Sequence, residues 1–233
     1  MNPSDDSTRL TRRQLVAAGG VLGMGAGAYL LGPGGGAGAL AASATAQASA
    51  ASACTLTPEE TEGPYYIDDH LLRSDIREDR RGVLLDLRLP VTSAAACRAI
   101  TGATVEIWHA DALGVYSGFG SGQGRAFLRG GVRTDAAGVA RFRTVYPGWY
   151  QGRTVHIHVK VHVSGTVVHT GQLFFRDATT DAVYRHSPYL SRGARTTHNA
   201  QDGIYAGGGR QSTLALRRRG SGYLATKTLV VKA

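Results

Sequence analysis

Cysteine is nearly absent from this chain: Cys54 and Cys97 are the only two in 233 residues. So low a count excludes a disulfide-stapled scaffold and any zinc finger built on clustered cysteines. Acidic residues are also few, 17 against 26 lysines and arginines, which gives a formal net charge of +9. That balance raises nucleic acid or an anionic surface as a partner. The later arginines, however, are scattered from Arg73 to Arg219, with one short run at Arg217, Arg218 and Arg219. No aromatic RNA-binding signature accompanies them, so no nucleic-acid partner is expected and the charge reads as a solvated basic face. Also missing beyond residue 53 are internal repeats and any long stretch with a helical hydrophobic period, which argues against a helical bundle or solenoid.

The first 53 residues read as a targeting segment. Arg12 and Arg13 form a twin-arginine pair, followed by a largely apolar stretch from Leu15 to Leu31 and then by Gly and Ala runs. A basic start, an apolar middle and a small-residue cleavage zone are the layout of a twin-arginine export signal. Frequent glycine and low complexity argue against a lasting membrane anchor. The expected mature domain is 54–233, and Ala-Ser-Ala repeats leave several possible cleavage sites. An even cysteine count in an exported protein favours one disulfide, Cys54 to Cys97, tying the mature N-terminus to the loop before Thr104. Lipid attachment at Cys54 is the rival reading; Ala51-Ser52-Ala53 lacks the usual leucine, and Cys97 would be left over.

The mature part alternates with period two. Leu85 to Leu89, Thr104 to Trp108, Val139 to Val145, Thr154 to Val163, Val167 to His169, Leu173 to Phe175 and Leu229 to Val231 read as strands. Asp135-Ala136-Ala137-Gly138, Pro147-Gly148, Ser164-Gly165 and Gly207-Gly208-Gly209 break them. The pattern predicts an all-β fold, an antiparallel β-sandwich with loop-rich additions, with Ser164-Gly165 as a hairpin turn. Residues 178–209 are loop-rich and suited to covering one end.

The most informative run is Thr154 to Val163. On a strand, His156, His158, Lys160 and His162 share one face, and Ile157, Val159, Val161 and Val163 the other. Histidines at i and i+2 stand about 6.5–7 Å apart at Cα, close enough to converge on one ion. His-x-His alone equally describes a polar sheet face. Pro147-Gly148 turns the chain so that Tyr150 can fold back toward these histidines. No acidic residue lies between Tyr150 and His162, and no cysteine is near, so a zinc-peptidase pattern is missing. A phenolate is a hard oxygen donor suited to a hard trivalent ion.

With these stand Thr61-Glu62-Gly63-Pro64-Tyr65-Tyr66, Val105-Glu106-Ile107-Trp108-His109-Ala110-Asp111, Gly114-Val115-Tyr116, Gly152-Arg153-Thr154-Val155-His156-Ile157-His158 and Gln172-Leu173-Phe174-Phe175. In this order, from about Pro58 to Phe175, the blocks resemble the intradiol ring-cleavage dioxygenases, the family of catechol and protocatechuate dioxygenases. The resemblance implies a β-sandwich with the metal at one end. It also implies one non-haem Fe(III) per chain on Tyr116, Tyr150, His156 and His158, and a reaction that opens a catecholic ring with O2 to a cis,cis-muconate-type diacid. Tyr150 is implied to leave the metal and take a substrate proton; Arg153 and Gln172 match positions that face the substrate. Tyr65, Tyr66 and Trp108 are candidate pocket residues or packing residues. Two departures concern the pocket: Thr154-Val155 replaces Pro-Ala, and the loop from Tyr150 to Arg153 is short. Other readings are an exported zinc hydrolase on His156 and His158 with His109 or Asp111 as third ligand, and a non-catalytic module binding acidic polymers. His109, His162 and His169 read as structural or exposed. Neither the particular catechol nor the oligomeric state is legible in the sequence.

Overall fold

The computed structural model describes residues 55–233. The expected export segment and Cys54, with its pairing to Cys97, lie outside the described residues. Cys97 itself sits in an exposed turn, with φ at +52°.

Alternating apolar residues form strands here because each strand has one face turned to a common core. The described strands are β1 (Leu84–Ser93), β2 (Thr104–Trp108), β3 (Arg129–Arg133), β4 (Val139–Val145), β5 (His156–Val163), β6 (Thr166–Phe174), β7 (Ala215–Arg219), β8 (Gly222–Thr226) and β9 (Leu229–Val231). They make two sheets, one ordered β4-β1-β8-β7 with β9 also on β1, the other ordered β3-β2-β5-β6. Leu85, Leu87, Leu89 and Val91 of β1 share a core with Val105 and Ile107 of β2 and with Ile157, Val159 and Val161 of β5, all at most 1% exposed. Each such side chain contributes about 1.5–3 kcal/mol through burial. The Ser164-Gly165 turn closes the β5–β6 hairpin, pairing Val163 with Thr166.

The sandwich is mostly antiparallel, but β1 pairs in parallel with both β8 and β9. The chain leaves the sheets after β6 and returns late beside β1, so no hairpin dictates direction there. β3, β7 and β8 carry no period-two signal. Arg-Gly-Gly-Val-Arg has little apolar content, and Ala-Leu-Arg-Arg-Arg reads as a charge run yet forms an exposed edge strand, where charge is favourable. The two short runs expected at Val167 and Leu173 are one strand, β6, continuous through Gly171. Where no helix was expected, α1 (Asp177–Val183) forms; seven residues are too few to display a helical period.

The outer face of the four-stranded sheet carries Glu106, Trp108, His156, His158, Lys160, His162 and Gln172, and most of it is buried. The segment 58–73 covers it. Glu60 accepts the Gln172 backbone N–H at 2.8 Å, Thr61 carbonyl accepts the Gln172 side-chain amide at 2.9 Å, Glu62 pairs with Lys160, and Leu72 bridges Gly131. A polar sheet face is thereby made into an interior.

Leu87 is fully buried on β1, the strand that pairs with β4, β8 and β9. Leu87→Ala is expected to lower stability by about 2–5 kcal/mol in urea unfolding, with an unchanged denaturant slope.

Candidate metal centre

β2 ends at Trp108 and β5 begins at His156, so both open toward the same end of the sheet, where the loops 109–128 and 146–155 depart. His156 and His158 stand on the outer face at that end. The His156 Nδ1 lies 2.7 Å from the Thr154 carbonyl, to which it donates, and this leaves Nε2 as a bare lone pair. Nε2 of His156 is 3.1 Å from Nε2 of His158 and 3.1 Å from the Tyr150 hydroxyl. His158 stacks on the Trp108 indole at 5.0 Å and 4°, which fixes its ring plane. Burial, reinforced by the nearby Arg153 charge, takes the His156 pKa down to about 3. Burial, then His156 and Arg153, holds His158 well below its ordinary value. Both imidazoles are neutral at pH 7 and can act as ligands.

The two tyrosines come from two loops that meet backbone to backbone. Asp111 Oδ1 accepts the N–H groups of Leu113 and Val115, at 2.9 and 3.0 Å, and so folds the turn that presents Tyr116. Gly114 in this turn has φ +81°, and a Cβ there would lie 2.3 Å from the Trp149 carbonyl oxygen. Reciprocally, a Cβ on Gly148 would lie 2.4 Å from the Asp111 carbonyl oxygen, and the Gly148 N–H donates to that oxygen at 2.9 Å. Neither contact tolerates a side chain. The rings of Tyr116 and Tyr150 come to 5.6 Å, and Tyr116 to 6.1 Å from the His158 ring. All four expected ligands are therefore brought together.

Burial, with the neighbouring Tyr150 phenol, pushes the Tyr116 phenol well up, and burial also raises Tyr150 against the lowering influence of Arg153. The Tyr116 hydroxyl makes no hydrogen bond of normal geometry although it is buried, and neither does His158 Nδ1. Each such atom costs about 1–3 kcal/mol. Two neutral imidazoles and two phenols at one buried point fit a hard cation, whose charge would ionise the phenols that burial keeps protonated.

Arg153 and Gln172 lie beside this centre. The Arg153 Nε donates to Asp202 at 2.8 Å and its Nη2 to Gln172 Oε1 at 2.5 Å; Gln172 pairs with His158 across the β5–β6 ladder. Tyr65 stacks on Tyr116 at 4.3 Å, and Tyr66 packs on Trp108 at 4.9 Å. The three candidate pocket residues thus line the same centre, together with Phe119, which sequence reasoning missed. Asp202 was also missed. It is buried, and it accepts from Arg153 and from the backbone N–H groups of Thr154, Ile204 and Tyr205. Burial opposes its ionisation, but these donors outweigh burial and hold the carboxyl below the usual range. Nothing in the run Asn199-Ala-Gln-Asp202-Gly203 marks it as more than a turn residue. His109 is structural, with its ring nitrogens held by the Ala110 carbonyl and the Thr144 hydroxyl, both at 2.8 Å. Asp111 is committed to its turn and to Arg80. Neither offers the third ligand that a zinc hydrolase would need.

A family model described as "Dioxygenase" matches residues 61–184, over half of the chain. An intradiol ring-cleavage dioxygenase from Tetranychus urticae has a similar structure, 36% identical, with a TM-score of 0.74; the match covers 77% of this chain and 95% of that one. The dioxygenase domain of a dioxygenase–carbohydrate-binding fusion from Streptomyces sp. SirexAA-E is 29% identical, with a TM-score of 0.61, over 76% of this chain and 99% of that one. Catechol 1,2-dioxygenase 2 of Acinetobacter lwoffii is 34% identical over 152 residues, 58% of this chain and 53% of that protein. The chain spans about half the length of the curated relatives it matches. With the family model laid over the segment that holds both histidines and both tyrosines, this chain belongs to the intradiol ring-cleavage dioxygenase family.

Proposed function

We propose that this protein opens catechol-type rings between their two hydroxyl-bearing carbons, using O2 and one non-haem ferric ion held by Tyr116, Tyr150, His156 and His158. The observation that carries this reading is the convergence of Tyr150 Oη and the two histidine Nε2 atoms within 3.1 Å contacts, beside the buried Tyr116 phenol, whose ring lies 5.6 Å from that of Tyr150. When bound, the ferric ion supplies Lewis acidity and an acceptor for electron density from the catecholate, which opens the ring to attack by O2.

The chain's own residues bind, orient and move protons. Tyr150 is less buried than Tyr116, and its hydroxyl already reaches His156 Nε2. It is the phenol placed to exchange a proton with an arriving catechol, while Tyr116, fully enclosed under Tyr65, stays fixed. Arg153 offers a positive charge whose direction Asp202 and Gln172 set, and this stabilises negative charge that builds up on the ring. Tyr65, Trp108 and Phe119 enclose the centre in aromatic surface and exclude water. The overall change adds one O2 to the catechol and yields a cis,cis-muconate-type diacid. Export by the twin-arginine signal, followed by a Cys54–Cys97 disulfide, places the enzyme where it meets aromatics outside the cytoplasm; Arg12-Arg13 with its apolar and alanine-rich sequel supports this.

With catechol, protocatechuate or hydroxyquinol, oxygen uptake is expected at one O2 per ring, and labelled dioxygen should place both of its atoms in the diacid. No uptake with any of the three would overturn the reading. His158→Ala and Tyr116→Phe are each expected to reduce turnover at least about 100-fold and to lower bound iron. Asp202→Asn should keep its iron and lose roughly 10- to 100-fold in kcat, because Arg153 loses its anchor. Gly148→Ala, which drives a methyl into the Asp111 carbonyl, should displace Tyr150; an iron content and turnover equal to wild type would contradict the role given to that contact.

A further inference from the structure

The outer face of the four-stranded sheet carries a second group of ligand-type side chains at its far end. Counting along β5, His162 lies four residues beyond His158, roughly 13 Å away. There Asp68, His70 and Glu106 each present one donor atom, and the three atoms lie within 4.8 Å of one another. Asp68 Oδ1 is 3.1 Å from His70 Nδ1, and His162 Nε2 is 3.2 Å from Glu106 Oε2. Glu106 and His162 come from adjacent strands, β2 and β5, and are half-buried; Asp68 and His70 come from the covering segment and are exposed.

We infer that Asp68, His70 and Glu106, with His162 holding Glu106 from the neighbouring strand, form a second metal site, separate from the Tyr116–Tyr150–His156–His158 centre, that takes a divalent cation of the zinc type. The donor set is one imidazole nitrogen and two carboxylate oxygens, which suits zinc with water in the fourth position. Its one neighbouring phenol, Tyr66, donates to Glu106 at 3.1 Å and is not among the donors, so the site does not share the other centre's suitability for a hard trivalent ion. A cleft of about 490 Å³, lined by His70, Glu106 and His162 among others, leaves the group accessible to an ion from solvent. Arg133 also borders this cleft.

The site joins two parts of the fold. Glu106 and His162 belong to the sheet; Asp68 and His70 belong to the segment that carries Tyr65 and Tyr66. Zinc bound there clips that segment to the sheet, and Tyr66 relays the clip to Trp108, which stacks on His158. The metal therefore steadies the aromatic wall of the other centre without entering it.

The test uses the full chain loaded with iron, dialysed against zinc at about 10 µM and then analysed for both metals. One zinc per chain is expected, with iron retained, and the melting temperature should rise by a few degrees. The double substitution His70→Ala with His162→Ala, at positions outside the core, should abolish zinc retention and the rise in melting temperature, and leave iron content unchanged. Zinc retention by the double variant equal to wild type would overturn the proposal, as would no zinc retained by wild type, or zinc taken up only in exchange for iron. This readout stands apart from ring cleavage: if the chain bound no iron at all, loss of zinc on removing His70 and His162 would still assign the site.

Discussion

Two loops meet through bare backbone, and the candidate centre depends on that contact. Asp111 folds one loop and places its carbonyl against Gly148; Gly114 lets the same turn pass under the Trp149 carbonyl. Any side chain at either glycine would push the loops apart. Tyr116 and Tyr150, each two residues from one of these glycines, would then no longer reach the same point. The histidines need less help. Two positions apart on a strand, they are aligned by the pleat itself, and the Thr154 carbonyl and the Trp108 ring complete their orientation. The centre is thus half rigid sheet and half loop, and the loop half owes its precision to close packing of main chain.

Electrostatics follow from the covering segment. An outward sheet face with three histidines and a lysine would ordinarily be solvated. Residues 58–73 remove it from water, and the consequences are chemical. His156 and His158 are held neutral, Tyr116 and Tyr150 are held protonated, and Lys160 needs Glu62 and the Tyr66 ring, 3.4 Å from its ammonium, as compensation. Such a site stores unfavourable burial of donors that a cation converts into coordination. Asp202 belongs to the same logic. It directs Arg153 within a crowded interior, and is itself held by three backbone N–H groups from two separate stretches of chain.

Much of this was legible in the sequence where the signal was local. The period-two run from Thr154 to Val163 gave the strand, the face and the two histidines; Ser164-Gly165 gave the turn. The ordered blocks from Thr61 to Phe175 gave the tyrosines, which spacing alone could not. What escaped was non-local. β3 and β7 have no alternation of their own and become strands only through β2 and β8. The parallel pairing of β8 and β9 with β1 is decided by a long excursion of the chain. Asp202 and Phe119 sit in unremarkable turn sequences and gain a role only when folding brings them to Arg153 and Tyr65. The segment 1–53, outside the described residues, carries its reading in the Arg12-Arg13 pair and its apolar and alanine-rich sequel.

If four donors, two phenols and two imidazoles, hold one ferric ion, the purified chain is coloured. In a visible absorption spectrum, with iron measured on the same sample and catechol then added, about one iron per chain is expected, with a red-brown tyrosinate-to-iron band that shifts when catechol binds. A protein that stays colourless after iron loading, or whose band does not respond to catechol, would contradict that ligand set.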